Sequence, residues 1–389
     1  MVRNGDLSRS LLGLPCGVGV SILLAVLGCD SRGNSSREAV REMPAACLEC
    51  LDTIGLSPTS LRLTQVDALD VDSHDNVYLV DIGSRSVIVL GADGSYRRTV
   101  GRGGGGPGEF ATSPSIQVIP GNVLLAYDAS LARLTRFAPG ADKVLQTMHV
   151  SAHRGGLPTG VLATRDGAYL AFFEQPFVAG RPEISDSVRS VLVGVLDSLG
   201  DVVRDSILAV PGGEILVVRS RGAVMAGGRP FGREVLFQTR NALLWYVLTD
   251  HPAVYRVSLA DGRRDSIPLP FQAPPIAAKQ LDDAAALLPE LLRMPFRKDL
   301  PNRWPLIRGF VANPDGTLWV DIAADAERQG QWIRLDQVGR VVERLAVPWN
   351  VTLKAVRGDR YYALAKDSDD APRVLIVRKR PQVANSGTH

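Results

Sequence analysis

The sequence is poor in the residues that most often carry chemistry. Its 389 residues include only four cysteines and five histidines, and the formal net charge is +3. A charge this small, carried mostly by scattered arginines, gives no field that would attract a polyanion, so we expect no nucleic-acid partner. Hydrophobic residues make up 45% of the chain, which is sufficient for a large folded core.

Motifs of nucleotide binding and acyl transfer are also missing. The glycine run at 103–106 lacks the Gly-Lys-Ser/Thr of a phosphate loop, and no helix follows to offer its amino terminus. No Gly-x-Ser-x-Gly elbow occurs, and no nucleophile stands beside a base in a recognisable pattern. The glycine run is therefore interpreted as a crossing between two structural units.

The first 28 residues have the order of parts of a secretory signal. Arg3 and Arg9 precede or flank the start of an apolar stretch from Leu11 to Gly28, and Cys29 follows directly. A cysteine in this place resembles the lipobox of bacterial lipoproteins, and the resemblance implies cleavage before Cys29 and its acylation. Asp30 resembles an inner-membrane retention signal. The alternative is an uncleaved membrane helix, because about 18 apolar residues are close to the spanning length.

Residues 29–51 are predicted to form a polar tether that contains a C-x-x-C pair, Cys47 and Cys50. In an exported protein, two cysteines this close together indicate a local disulfide. A redox pair would need a βαβ context, and a zinc site would need two further ligands nearby. The sequence offers neither, so a disulfide is the prediction, with a redox pair or free thiols as alternatives.

From residue 52 to 381 the sequence repeats one pattern of short alternating strands and tight turns. The repeated units are 65–101, 114–150, 159–210, 234–270, 306–348 and 352–379. Pairs such as Asp93-Gly94 and Asp261-Gly262 favour the turns between strands, because these residues tolerate positive φ. The repeats predict an all-β, six-bladed β-propeller of four-stranded antiparallel blades, with a tail at 382–389.

Two parts of the chain depart from the repeat. The sixth unit has only three good strands, and an N-terminal strand within 52–63 could supply the fourth and close the ring. Between blades four and five, a helical insertion is predicted at about 275–300, with Leu281 and Ala285 on one helical face. Pro289 is expected to end or kink this helix.

The glycine-rich exit of the first unit, from Gly101 to Phe110, ends in Gly-Pro-Gly-Glu-Phe. This ending, with an aspartate after the second strand, resembles NHL-type repeats. With its leader, the chain is similar to bacterial six-bladed β-propeller lipoproteins over residues 51–380. NHL-type propellers include protein-interaction modules, and related folds include lyases and lactonases, so the resemblance implies a fold rather than one activity.

The turns after second strands share one face of a propeller with the blade-to-blade crossings, and we call it the crossing face. One acidic residue per unit is predicted there at matching register: Asp81, Asp128, Glu174, Asp250, Asp321 and Asp367. A ring of acids at the channel mouth favours a cation, an amine or a metal ion such as calcium. The alternative is that each acid caps its own turn by accepting backbone N–H bonds.

Three histidines are also expected on the crossing face: His149, His153 and His251. Related propeller lyases hold a metal with histidines from different blades, so a zinc site is an alternative reading of these positions. No H-E-x-x-H pattern supports it.

Arg303, Trp304 and Arg308 follow the helical insertion and belong to the residue types that anchor binding partners. They could form one wall of a pocket, or the helix could simply cover apolar rim strands. Taken together, the sequence predicts a non-enzymatic binding or scaffold propeller without a cofactor. It would be lipid-anchored to the inner or outer membrane of the cell envelope, facing the periplasm, with an unidentified protein, peptide or saccharide partner. The alternative is a metal-assisted lyase or lactonase that uses zinc or calcium.

Overall fold

The fold is seen in a computed structural model, which describes most of the chain from residue 46 to residue 379. The described residues are 46–47, 51–58, 60–174, 188–220, 223–313, 315–323, 330–348, 351–367, 369 and 371–379. The predicted signal peptide, Cys29, Cys50 and the tail lie outside them, so the lipid anchor and the disulfide stay predictions. Neither of the two helices within these ranges has the length and apolarity needed to cross a bilayer.

Strands account for nearly all regular structure in the first half of the described chain. Two amino-terminal strands are β1 (Ala46–Cys47) and β2 (Asp52–Leu56). Blade one contains β3 (Val66–Val71), β4 (Val77–Asp81), β5 (Ser86–Leu90) and β6 (Tyr96–Val100). The glycine-rich crossing forms a short parallel pair, β7 (Arg102–Gly103) and β8 (Glu109–Phe110). Blade two contains β9 (Ser115–Ile119), β10 (Val123–Asp128), β11 (Arg133–Phe137) and β12 (Val144–His149).

The second half continues the pattern with two helices inserted. Blade three contains β13 (Leu157–Ala163), β14 (Tyr169–Glu174), β15 (Val188–Leu196), β16 (Val202–Ser220) and β17 (Ala223–Gly228). Blade four contains β18 (Val235–Arg240), β19 (Leu243–Leu248), β20 (Ala253–Ser258) and β21 (Arg264–Pro268). The helices are α1 (Ala278–Leu287) and α2 (Glu290–Lys298). Blade five contains β22 (Ile307–Ala312), β23 (Leu318–Ala323), β24 (Gly330–Leu335) and β25 (Val341–Val347), and blade six contains β26 (Val351–Arg357), β27 (Arg360–Lys366) and β28 (Pro372–Arg378).

The six sheets form a closed ring, as the sequence predicted. Within each blade consecutive strands pair antiparallel, and β2 completes blade six by pairing with β28, with Asp52 opposite Arg378 and Leu56 opposite Leu375. Blades three and five each carry a fifth strand, β17 and β1 respectively. The pairing of the amino-terminal strand β2 with the last blade removes the open edge that an unclosed array would expose.

The core lies between neighbouring blades rather than inside any one of them. A sheet has two faces, and both are buried here because every blade packs against the blade before it and the blade after it. In blade one, Leu79 packs with Tyr362 of blade six, whereas Val80 packs with Ala126 of blade two. The second strands are accordingly buried over their whole length and largely apolar, as β4 and β23 show.

The helices rest on an extension of blade three. Strand β16 continues beyond its pairing with β15 and forms a hairpin with β17, and Leu216 of this hairpin packs with Ala285, Leu292 and Phe296 of the helices. The predicted helix is broken at Leu288, because Pro289 cannot continue it, and the expected apolar face is the buried one. The hairpin and the helices together stand on the crossing face.

Candidate functional site

The acidic residues predicted for the crossing face do not share one register, so that part of the prediction is wrong. Side chains alternate between the two faces of a strand, so residues two positions apart lie on the same face. Each acid can therefore be assigned to a face from the core cluster that contains the residue two positions before it. Asp81 and Asp128 lie on the face toward the preceding blade, whereas Glu174 and Asp321 lie on the face toward the following blade. Asp250 and Asp367 lie beyond the ends of their second strands.

Asp81 and Asp128 hold the loops around them. Asp81 accepts hydrogen bonds from the backbone N–H groups of Thr64, Gln65 and Ser84 and from the Thr64 hydroxyl, at 2.7–3.3 Å. Burial alone would raise the pKa of Asp81, but these hydrogen bonds outweigh it and lower the pKa. Asp128 makes the corresponding bonds to the preceding crossing and to its own turn, through donors that include Ala111 N and Ser130 N.

Three other acids are paired with arginines. Glu174 lies 3.2 Å from Arg189 and Asp250 lies 3.1 Å from Arg233. Asp367 accepts bonds from the Arg373 guanidinium and from backbone N–H groups of its own turn. With these partners, the acids do not present a ring of unpaired carboxylates at the channel mouth.

Asp321 is the acid with the most unusual surroundings. Only 7% of the residue is exposed, and its Oδ1 accepts a 2.8 Å bond from Nη2 of Arg308 on the neighbouring strand. Burial raises the pKa of Asp321 to about 6, since the nearby guanidinium only partly opposes the loss of hydration. A carboxyl group with a raised pKa beside a cavity is a common mark of a functional site.

A cavity of about 680 Å³ opens at the crossing face, at the mouth of the central channel. Its wall is built mainly from the early residues of the six inner strands, where the channel begins. Arg308, Asp321 and Glu174 supply charge to the wall, and Phe172 and Trp332 supply aromatic surface. Volumes of this size are typical of sites for small organic ligands.

Two glycines in inner strands explain why residues from second and third strands reach this cavity. Gly309 lies opposite Asp321 and Gly160 lies opposite Phe172, and in each case the strand register shifts just before the glycine. A Cβ on Gly309 would lie 3.6 Å from Trp332 Cη2 and 3.9 Å from Asp321 Cβ. Because the two glycines have no side chains, they leave two gaps in the inner wall, which we call windows.

A second cavity of about 540 Å³ occupies the opposite half of the channel. It is lined by the later residues of the inner strands and shares with the first cavity a set of wall residues, namely Leu69, Leu162, Phe237, Gln238, Val311 and Lys354. Near these shared residues, the side-chain amide of Gln117 in blade two donates a 3.1 Å hydrogen bond to the hydroxyl group of Thr239 in blade four. This bond links strands from different blades. The channel therefore has two separate mouths, and only the one on the crossing face carries the Arg308–Asp321 pair.

The three histidines do not come together at one site, and two of them have their own partners. His153 Nε2 lies 2.8 Å from Asp205, and His251 Nδ1 lies 3.1 Å from the Tyr255 hydroxyl. His149 is the last residue of β12 and is exposed. Over the described part of the chain, no three side chains of His, Cys, Asp or Glu come together in a way that could hold a metal ion.

Of the predicted binding trio, only Arg308 lines the cavity. Arg303 donates to the Ala273 carbonyl oxygen at 2.6 Å, and Trp304 Nε1 donates to Gln280 Oε1 of α1 at 3.3 Å. Trp304 also meets Phe231 edge-to-face, with ring centroids 4.6 Å apart. These two residues fasten the inserted helices to the propeller.

Among the cavity residues that reasoning from the sequence did not find are Gly160, Phe172, Gly309 and Trp332. The available signal was a glycine in the interior of a strand, which often marks a bulge or a place where a ligand comes close. Phe172 and Trp332 gave no signal, because an aromatic residue in a buried strand looks like ordinary core.

No family model matches this chain, and no curated protein matches it. Solved structures do resemble it. A Bacteroides fragilis protein named for its expected export is 12% identical, covering 85% of this chain and 95% of its own, with a TM-score of 0.51. A member of the DUF4221 family from Bacteroides vulgatus is 8% identical over 84% and 96%, with a TM-score of 0.49.

A gluconolactonase from Xanthomonas campestris is 14% identical, covering 86% of this chain and 97% of its own, with a TM-score of 0.43. At these identities a likeness shows the fold alone, so the similarity to NHL-type repeats stays a prediction. The chain resembles bacterial β-propeller proteins in structure, and its own fold is a six-bladed β-propeller.

Proposed function

We propose that this protein is a membrane-anchored binding propeller that takes a small organic ligand at the crossing-face mouth of its channel. The observation that carries the proposal is the pair of windows at Gly160 and Gly309. A propeller that needed only a packed channel would gain from side chains at these positions, because glycine weakens a strand interior. Here the two glycines let Asp321, Trp332 and Phe172 line the cavity, each through a small exposed edge.

The cavity also has the composition of a binding site. Apolar and aromatic residues make up more of its wall than polar ones, and the charged side chains are four: Glu174, Arg308, Asp321 and Lys354. Small-molecule sites combine an apolar wall with a small number of polar groups that fix orientation. Among the described residues no group of three His, Cys, Asp or Glu side chains could hold a metal ion, and we therefore put the binding role before the metal-assisted lyase or lactonase.

Filling one window is expected to abolish ligand binding while leaving the fold intact. A Cβ at position 309 would meet Trp332 at an ordinary contact distance. Valine suits a strand, and its methyl groups would cover Asp321 and Trp332. We expect small aromatic acids, amides, amines and sugars that bind the natural protein in saturation-transfer NMR to lose at least about tenfold in affinity with Gly309→Val, since they lose direct contact with the wall.

Gly228→Val is the matched control, because Gly228 is also a strand glycine but lies exposed with no atom within 4 Å of its would-be Cβ. This variant should bind as the natural protein does. The proposal is contradicted when no compound binds the natural protein, or when Gly309→Val and Gly228→Val bind equally well.

The anchor is a separate part of the proposal and rests on the sequence around Cys29. We expect the mature protein to begin at Cys29 and to carry acyl chains. Cleavage removes the apolar leader, so acyl chains on Cys29 would be what holds the mature protein at the membrane. Cys29→Ser should move the protein from the membrane fraction to the soluble fraction, or leave residues 1–28 attached. Intact-mass measurement of the purified protein checks this, and an unmodified amino terminus at another residue would refute it.

A further inference from the structure

Arg308 is an arginine with most of its donors unused. One third of its side chain is exposed, and Nη2 donates to Asp321 Oδ1 at 2.8 Å. Among the described residues, no other acceptor is bonded to its guanidinium. A guanidinium carries five N–H donors in a fixed plane, so the remaining donors are available to a group inside the cavity.

The charges around the cavity favour an anion over the cation that the sequence suggested. Arg308 and Lys354 line the wall together with two carboxylates, those of Asp321 and Glu174, and Arg189 counters the charge of Glu174 from behind. The acids that might have attracted a cation are thus held by protein donors. The cationic group that remains open is that of Arg308.

The rest of the wall suits an apolar or aromatic body. Phe172 and Phe237 lie together with ring centroids 4.4 Å apart, and Phe310 and Trp332 line the cavity beside Gly309. Phe172, Phe310 and Trp332 are mostly buried. The apolar surface open to the cavity comes from Phe237 and the partly exposed aliphatic side chains of the inner strands. Such surface binds hydrocarbon and aromatic groups by excluding water. An anion without such a body would leave most of this wall in contact with water.

We propose that the cavity binds an amphiphilic organic anion, a carboxylate with an apolar or aromatic body, whose carboxylate is held by Arg308. This rests on the proposed function and names its ligand class. Asp321 holds the guanidinium through Nη2, and its negative charge near the bound carboxylate opposes binding. Planar pairing of a guanidinium with a carboxylate gives two parallel hydrogen bonds and sets the orientation of the ligand.

The test uses three compounds that share one body and differ only in charge: phenylpropanoate, phenylpropanamide and phenylpropylamine. Isothermal titration of the full chain should show binding of phenylpropanoate in preference to the amide and the amine. Arg308→Gln should weaken phenylpropanoate by at least about tenfold and leave the amide unchanged, because a hydrogen bond to a charged group is lost. Asp321→Asn should tighten phenylpropanoate, because the opposing negative charge is gone.

The double variant Arg308→Gln with Asp321→Asn guards against a folding artefact, since it leaves no unpaired charge behind. It should unfold at the same temperature as the natural protein or higher and should still fail to bind phenylpropanoate. A purely structural pair would make Arg308→Gln and Asp321→Asn change binding in the same direction, and that result overturns the proposal.

The outcomes also separate this proposal from the broader one. Preferred binding of the amine or the amide, lost in Gly309→Val, keeps the cavity as a ligand site and overturns its preference for anions. Failure of all three compounds to bind overturns the amphiphilic-anion proposal, whereas the proposed function fails only when no compound of the wider screen binds the natural protein.

Discussion

Deleting residues 1–56 is expected to remove most of the stability of the propeller. This deletion takes away β2, whose pairing with β28 closes the ring, and leaves β28 as an open edge. It also removes Ile54, which packs against the core between blades six and one. Each lost backbone hydrogen bond costs about 1 kcal/mol, so with the lost packing the sum is roughly 5 kcal/mol. That is a large part of the 5–15 kcal/mol by which domains are typically stable.

The matched control is a deletion of residues 1–50, which removes β1 but keeps β2. Strand β1 pairs with β25 over only two residues, so its loss should change the free energy of unfolding little. Urea unfolding of the two shortened chains measures the difference. Equal stability of both would mean that closure through β2 does not hold the ring, and the propeller would then be stabilised by its blade-to-blade packing alone.

Much of the fold could be predicted from the sequence because each blade is locally self-consistent. Turn pairs such as Asp93-Gly94 lie between strands of alternating or buried pattern, and they locate the strand ends without any long-range information. Closure was also predictable, since a last unit with three strands needs a fourth. Pro289 ended α1 at the expected place because its effect on a helix is local.

The site was harder to predict because it depends on strand register. The same triplet, Val-Asp-Ile, contains Asp81 in β4 and Asp321 in β23, yet Asp81 is the last residue of its strand and Asp321 is followed by two more. A slip of one residue turns a side chain to the other face of a sheet. Asp81 therefore bonds to the preceding crossing, whereas Asp321 meets Arg308 at the cavity.

Register shifts inside the inner strands were marked in the sequence only by an interior glycine, which suggests a bulge without fixing how the strands pair. The shift before Gly309 depends on how β22 pairs with β23, and nothing in the residues of β22 alone fixes that pairing. The sequence also does not show which charges are paired, and the carboxylates were therefore expected to attract a cation. Only the three-dimensional partners, such as Arg189 for Glu174 and Arg308 for Asp321, show that these charges are already countered.

The second large effect is expected at Gly200, in the turn between the third and fourth strands of blade three. This glycine has φ +99°, and a Cβ there would lie 2.0 Å from the carbonyl oxygen of His149 and 2.9 Å from Met148 Cγ. The turn cannot easily shift, because Asp197 accepts hydrogen bonds from the N–H groups of Leu199, Gly200 and Asp201. Gly200→Ala would therefore force blades two and three apart.

Gly200→Ala is expected to lower the free energy of unfolding by about 4 kcal/mol, from overpacking together with left-handed backbone strain. Gly262→Ala isolates the backbone part, because Gly262 occupies the corresponding turn of blade four with φ +74° and no atom within 4 Å of its would-be Cβ. That variant should lose only about 1 kcal/mol. Urea unfolding of both measures the difference, and equal losses would show that the contact between Gly200 and blade two adds nothing to stability. A larger loss at Gly200 would mean that this glycine does more than shape its turn. The absence of a side chain there would also let blade three pack closely against blade two.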